Sequence, residues 1–243
     1  NIALVGAYFP TGYAVNYMSH TTQFTSNNLR YFVGTYLGEI RIFNPKTGRL
    51  LDRIQGHVAF EHVWSLELIN RDVLASGAFD GLVKLWDWKR KIELRVLTGH
   101  IGRVRAIEIM SNGFLATGAE DNAIKIWNMN TGLLVRNLVG HTSFINDIKQ
   151  LTNGSIVSTS YDFTLRVWNP YTGSLLCSQS AAFRFWSFEI YRDNTIITSW
   201  LSGIQFWHQN CSLIRSISSG GFSYTFYYFH GTDLALRSFD GLI

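Results

Sequence analysis

Tryptophan recurs at a fixed interval in this chain. Trp86, Trp127 and Trp168 stand 41 residues apart, and each is followed by Asp or Asn. The pairs Gly56-His57, Gly99-His100 and Gly140-His141 precede them at spacings of 43 and 41. Within each interval the offsets repeat: Ser76, Asp80 and Trp86 match Thr117, Asp121 and Trp127, then Ser158, Asp162 and Trp168. A repeat of this length demands a supersecondary unit that buries its faces against its neighbours. Inside one unit, Gly99–Asn128, three short apolar runs (Val104–Ile109, Phe114–Ala119, Ala123–Trp127) are separated by turn residues. Such runs, about five or six residues long, read as strands. They show little strict alternation, as strands covered on both faces do.

A unit of about 40 residues with a Gly-His and a Trp-Asp resembles one blade of the WD-repeat β-propeller family. The match is specific for the three units within residues 50–179 and follows by register over most of the rest. The resemblance implies an all-β fold, a β-propeller of four-stranded antiparallel blades with about six blades present. They are expected near 7–55, 56–98, 99–139, 140–179, 180–217 and 218–243 together with 1–6. A six-bladed ring closed by residues 1–6 and a truncated seven-bladed ring both remain open. The terminal Phe239-Asp240-Gly241-Leu242-Ile243 copies Phe79-Asp80-Gly81-Leu82-Val83 and stops inside a strand. An unpaired edge there favours truncation, a piece of a longer chain.

In the family, the His, Ser/Thr, Asp and Trp of a blade form a hydrogen-bonded tetrad. By resemblance the sets are His57–Ser76–Asp80–Trp86, His100–Thr117–Asp121–Trp127 and His141–Ser158–Asp162–Trp168. The types suit the task, since Trp only donates, Asp only accepts, and His and a hydroxyl do both. A nucleophile triad would occur once, beside an oxyanion hole; this set occurs three times with a Trp attached, so it reads as structural. The flanking blades depart from the pattern. Phe43-Asn44 stands for Trp-Asp, with Val33 and Leu37 at the hydroxyl and Asp positions. Later, Ser180-Ala181 replaces Gly-His, Thr198 keeps the hydroxyl, Ser202 stands near the Asp position and Trp207-His208 ends the strand. Tyr13–Met18 is expected as an inner strand, and Phe222–Phe229 and Asp233–Ser238 as two strands of a sixth blade.

Only 16% of residues are charged and 47% are hydrophobic, which fits extensive burial between blades. The net charge of +4 is spread thinly, so nucleic acid is not the expected partner. No apolar run approaches the ~18 residues of a spanning helix, and no membrane partner is expected. Cys177 and Cys211, the two cysteines, fall in successive outer strands by register and form no disulfide framework or metal spacing. A reducing, intracellular setting, cytoplasmic or nuclear, follows as the default. Neither metal nor cofactor is expected: His20, His62, His208 and His230 lie outside the tetrads without ligand spacing, and no phosphate-binding glycine loop occurs.

In the family, three positions per blade face one rim: two at the start of the inner strand and the residue before the tetrad Asp. Carried over, they are His62, Trp64 and Phe79; Arg103, Arg105 and Glu120; Phe144, Asn146 and Tyr161; and Arg184, Trp186 and Leu201, with Tyr224 from the sixth blade. This set is rich in Trp, Tyr, Phe and Arg, the residues of binding hot spots. Trp64 and Trp186 also suit packing between blades. The three arginines suit a clamp for a carboxylate or phosphate of a peptide. The expected function is a non-catalytic scaffold that binds a protein or peptide on this rim, as one subunit of a larger assembly. One alternative is a substrate receptor of a ubiquitin ligase, for which Trp86-Asp87-Trp88-Lys89 nearly matches a Trp-Asp-x-Arg motif of such receptors. The others are a propeller-fold enzyme and a structural subunit that makes contacts through blade edges.

Overall fold

The structure is a computed structural model that describes residues 30–44, 46–182, 184–185, 187–191, 193–200, 203–218, 226–230 and 233–237. Every element among them is a strand, and every pairing is antiparallel. The first sheet holds β1 (Tyr31–Gly34), β2 (Glu39–Phe43) and β3 (Leu50–Gln55). Four-stranded sheets follow. The second has β4 (Val63–Leu68), β5 (Val73–Ala78), β6 (Val83–Asp87) and β7 (Ile92–Leu97). The third has β8 (Val104–Ile109), β9 (Phe114–Ala119), β10 (Ala123–Asn128) and β11 (Leu134–Val139). The fourth has β12 (Ile145–Gln150), β13 (Ile156–Ser160), β14 (Thr164–Trp168) and β15 (Leu175–Ser180). The fifth has β16 (Ser187–Ile190), β17 (Ile196–Trp200), β18 (Gly203–Trp207) and β19 (Leu213–Ser218). A hairpin of β20 (Phe226–His230) and β21 (Asp233–Arg237) comes last. The expected Tyr13–Met18 strand, residues 1–6, Ser202 and the chain end lie outside the described residues.

Each sheet is a simple meander; in the four-stranded sheets the first strand lies innermost and the fourth outermost, and in the three-stranded first sheet β3 holds the outer place. The cores sit between sheets. Trp86 and Leu74 of the second sheet pack on Phe32, Ile40 and Ile42 of the first. Trp127 packs on Ala75, Val83 and Leu85 of the second, and Trp168 on Ala116, Ile124 and Ile126 of the third. Trp207 closes on Val157, Leu165 and Val167 of the fourth. The 41-residue Trp spacing is thus one large ring per interface, and truncating a buried Trp to Ala typically costs about 3–5 kcal/mol. The inner strands approach so closely that side chains must be left out. A Cβ at Gly77 would stand 2.6 Å from Val104 Cγ1, and one at Gly118 would collide with Ile145.

The four residue types of the tetrads meet in each of the three middle sheets. Trp86, Trp127 and Trp168 donate from Nε1 to Ser76 Oγ, Thr117 Oγ1 and Ser158 Oγ at 2.9, 2.8 and 2.8 Å. Each hydroxyl then lies 2.7–2.8 Å from Nε2 of His57, His100 or His141. The hydroxyl has taken the Trp N–H, so it donates its own proton to Nε2. The imidazole proton on Nδ1 then goes to Asp80, Asp121 or Asp162, 2.8 Å away in all three. In the fifth sheet Trp207 keeps its bond to Thr198 Oγ1 at 2.9 Å, with Ala181 where the His would stand. The first sheet has buried Val33 and half-buried Phe43 at the corresponding places and holds by packing.

The reading of the cysteines needs correction. Cys177 lies on β15, but Cys211 is buried in the turn between β18 and β19, and the two form a disulfide with Cα atoms 6.0 Å apart. The bond ties the fourth sheet to the fifth, the interface where the tetrad is incomplete.

Two outcomes follow. Asp121→Ala leaves the His100 Nδ1–H and the Ile101 N–H without an acceptor, which should cost about 1–3 kcal/mol. Calorimetry should show a melting point lower by roughly 2–4 °C per kcal/mol. Reducing the 177–211 link, which closes a loop of 34 residues' separation, should cost about 2–4 kcal/mol. A melt with and without reductant should show that loss, and Cys177→Ser should show it in both.

Candidate functional site

The second, third and fourth sheets share a defect at one end of the innermost strand. Pairing runs Val63↔Ala78 and then Ser65↔Gly77, so Trp64 is passed over. Arg105 is passed over in the same way between Val104↔Ala119 and Ala106↔Gly118. Asn146 is passed over between Ile145↔Ser160 and Asp147↔Thr159. A β-bulge of this kind re-aims the extra side chain away from the pleat. Beside it a backbone bond joins the strand entry to the next turn. The N–H of Phe79, Glu120 and Tyr161 donates to the carbonyl of His62, Arg103 and Phe144 at 2.9, 3.0 and 2.9 Å. Three side chains per sheet are thereby presented at one edge.

The tetrad fixes that turn. One oxygen of Asp80, Asp121 and Asp162 accepts the N–H two residues on, at 2.9, 3.2 and 2.9 Å, while the other holds the His. The carboxylates of Asp121 and Asp162 also accept the Ile101 and Thr142 N–H groups. Burial opposes ionisation of Asp162, but bonds from Thr164, Thr142 and His141 outweigh it and hold its carboxyl at about 2. Burial likewise pushes His141 down, so its imidazole stays neutral.

Across the sheets the rim side chains interlock. Arg105 lies between two rings, its guanidinium carbon 4.8 Å from the Trp64 centroid and 4.8 Å from that of Tyr161. Arg184 stacks on the same Tyr161 ring at 3.6 Å, and Arg103 on Phe79 at 3.7 Å. The Tyr161 hydroxyl accepts from Arg105 Nη2 at 2.7 Å and from Arg184 Nη2 at 2.6 Å. Glu120 places one carboxylate oxygen 3.2 Å from Arg105 Nη1 and the other 3.5 Å from Arg103 Nε. Phe144 flanks Tyr161 with ring centroids 5.8 Å apart. Asn146 donates to the Phe185 carbonyl at 3.4 Å. Stacking on the rings holds the guanidinium planes in place.

Of the residues expected at this rim, Trp64, Phe79, Arg103, Arg105, Glu120, Phe144, Tyr161 and Arg184 form one connected group, with Asn146 beside it. Trp186, Leu201 and Tyr224 lie outside the described residues. Tyr36 was missed. It precedes Leu37, the tetrad-Asp position of the first sheet, and its ring lies 6.1 Å from His62, which lies 5.9 Å from Phe79. The offset rule would have found it, had the first sheet not lacked its Asp.

Below the rim the innermost strands carry acids that sequence reasoning also passed over. Burial, reinforced by the charge of Glu108, raises Glu67 to about 8. Burial raises Glu108 to about 7 and Asp147 to about 6. Lys149 lies among them, 3.6 Å from Glu189, and these acids hold its proton firmly.

Comparison with known proteins matches residues 48–87, 91–128 and 132–169 to the family model for the WD domain, G-beta repeat. Each matched stretch begins at one sheet's outermost strand and ends on the third strand of the next. Over 70 residues the chain is 34% identical to the WD repeat-containing protein pop2 of Schizosaccharomyces pombe, covering 29% of this chain and 10% of that protein. A structure described as the Crystal Structure of Mitotic Checkpoint Complex superposes with a TM-score of 0.70 at 21% identity, over 77% of this chain and 61% of that one. The WD40 β-propeller domain of Doa1 gives a TM-score of 0.64 at 26% identity, over 74% of this chain and 59% of that one. The chain therefore spans about a tenth of the curated relative and about three fifths of each structural neighbour.

The raised acids make stability depend on pH with a definite sign. Folded Glu67, Glu108 and Asp147 keep their protons up to about 8, 7 and 6, whereas unfolded they release them near their model values of 4.5, 4.5 and 3.8. The folded state therefore binds more protons in that window, and stability falls as pH rises through it. The lowered Asp162 acts oppositely, losing its contribution as pH falls from its model value of 3.8 towards about 2. Urea unfolding should give a maximum near pH 4, and Glu67→Gln should flatten the decline between about pH 4.5 and 8.

Proposed function

The chain belongs to the WD-repeat family, and on that premise we propose that it is a non-catalytic interaction scaffold that seats a partner peptide on this rim. WD40 propellers generally serve as protein-interaction scaffolds. The anchor is an anionic side chain of the partner, a carboxylate or a phosphate. One observation carries the reading: two stacked guanidiniums, Arg105 and Arg184, converge on the single hydroxyl of Tyr161. A neutral phenol oxygen is a weaker partner for two cations than an oxyanion that accepts from both. The aromatic surroundings, Trp64, Phe79 and Phe144, supply apolar area for the residues beside the anion. The rim is built on strands and tetrad-held turns, which lowers the ordering cost of binding.

The proposal includes an intracellular setting, in which thiol reductants would meet the Cys177–Cys211 bond. A second reading, contact through the sheet edges, has one observation in its favour. The outermost strands expose apolar side chains in every sheet from first to fifth, among them Leu51, Leu94, Val135, Leu176 and Ile214.

The test is a set of synthetic peptides of one sequence that differ at one position: Ala, Glu or phosphoserine. The charged peptides should bind more tightly than the Ala peptide, and the difference should shrink with salt. Arg105→Ala with Arg184→Ala should remove the preference, read well below the melting point, which the loss of the buried Arg105 side chain lowers. Equal binding of all three peptides, or a preference that survives the double substitution, overturns the reading.

A further inference from the structure

We propose that Glu120 is an intramolecular competitor for the anion, a built-in occupant that sets how much negative charge a ligand must bring to enter the rim. The inference rests on the rim reading above. Both terminal nitrogens of Arg105 are engaged: Nη1 meets the Glu120 carboxylate at 3.2 Å, and Nη2 donates to Tyr161 at 2.7 Å. The second Glu120 oxygen reaches Arg103 at 3.5 Å. One carboxylate thus bridges two of the three rim guanidiniums, as a ligand oxyanion would. The side chains of Arg105 and Glu120 are only 11% and 16% exposed, so their attraction is less screened than that of a surface pair.

Glu120 is placed for this by the fold. Its backbone N–H is held by the Arg103 carbonyl, and its neighbour Asp121 is fixed in the tetrad, so the carboxylate can leave only by side-chain rotation. Gly102 borders it without a side chain; a Cβ there would come within 3.3 Å of the Glu120 Cβ. The same turn position carries Phe79 in the second sheet and Tyr161 in the fourth. An acid is therefore no requirement of the turn.

Displacement by a monocarboxylate exchanges like for like and leaves Glu120 beside a second negative charge. A phosphate brings more charge and three acceptor oxygens, enough to engage Arg103, Arg105 and Arg184 together. The structure thus assigns Glu120 the role of raising the threshold against weak anions.

The experiment titrates inorganic phosphate and acetate into the protein and into E120Q, E120D and R105A, followed by calorimetry at one ionic strength. E120Q should bind phosphate about tenfold more tightly, the equivalent of one charge-assisted bond no longer displaced. Acetate should gain more, narrowing the preference for phosphate. E120D, which keeps the charge on a shorter stem, should fall between and reads the effect if E120Q fails to fold. R105A should lose both ligands. Unchanged or weaker binding by E120Q and E120D, with R105A still inactive, overturns the competitor role and leaves the rim reading standing, with Glu120 a brace. Full binding by R105A, or none by any of the four proteins, overturns both.

Discussion

A carboxylate with two oxygens and two tasks holds this structure together. In each of the three middle sheets one Asp oxygen closes the turn between second and third strands, and the other anchors the imidazole on the chain that enters the sheet. The imidazole passes the constraint to a buried hydroxyl, and the hydroxyl to the indole N–H. Each bond adds about 1 kcal/mol net, while an orphaned buried partner costs more. The chain of bonds also orients the indole ring that packs on the preceding sheet, so polar satisfaction and hydrophobic burial share one device.

The rim follows from that device. The residue before each Asp rides on the turn the Asp closes, and the bulged residue of the innermost strand stands beside it. Where the tetrads are complete, the side chains at these positions are aromatic, cationic, acidic at Glu120 or an amide at Asn146, and guanidiniums and rings contact one another across sheet boundaries. Arg105 of the third sheet touches Trp64 of the second and Tyr161 of the fourth. The group is therefore a property of the stack, and no single sheet contains it.

Much of this was legible in the chain. The Trp interval gave the sheet spacing because each interface needs one large ring with a donor, and the His, Ser/Thr and Asp offsets gave the bonding partners because strand and turn lengths are conserved between units. At Gly77 and Gly118 the innermost strand of the next sheet presses in where a side chain would stand. The bulges at Trp64, Arg105 and Asn146 had no signal, since a passed-over residue leaves the composition of a strand unchanged. Cys177 and Cys211 meet because of a contact between sheets, and a separation of 34 residues on one chain carries no mark of it. Glu67, Glu108 and Lys149 each look like an ordinary exposed strand residue. Their mutual approach exists only once the innermost strands stand side by side.

A crystal structure of the protein with a peptide bearing a phosphoserine or glutamate tests the central claim most directly. The account predicts the anionic group within hydrogen-bond distance of Arg105 and Arg184, with both guanidiniums still stacked on Tyr161. A peptide seated along an outermost strand, or an anion held away from these arginines, would contradict it.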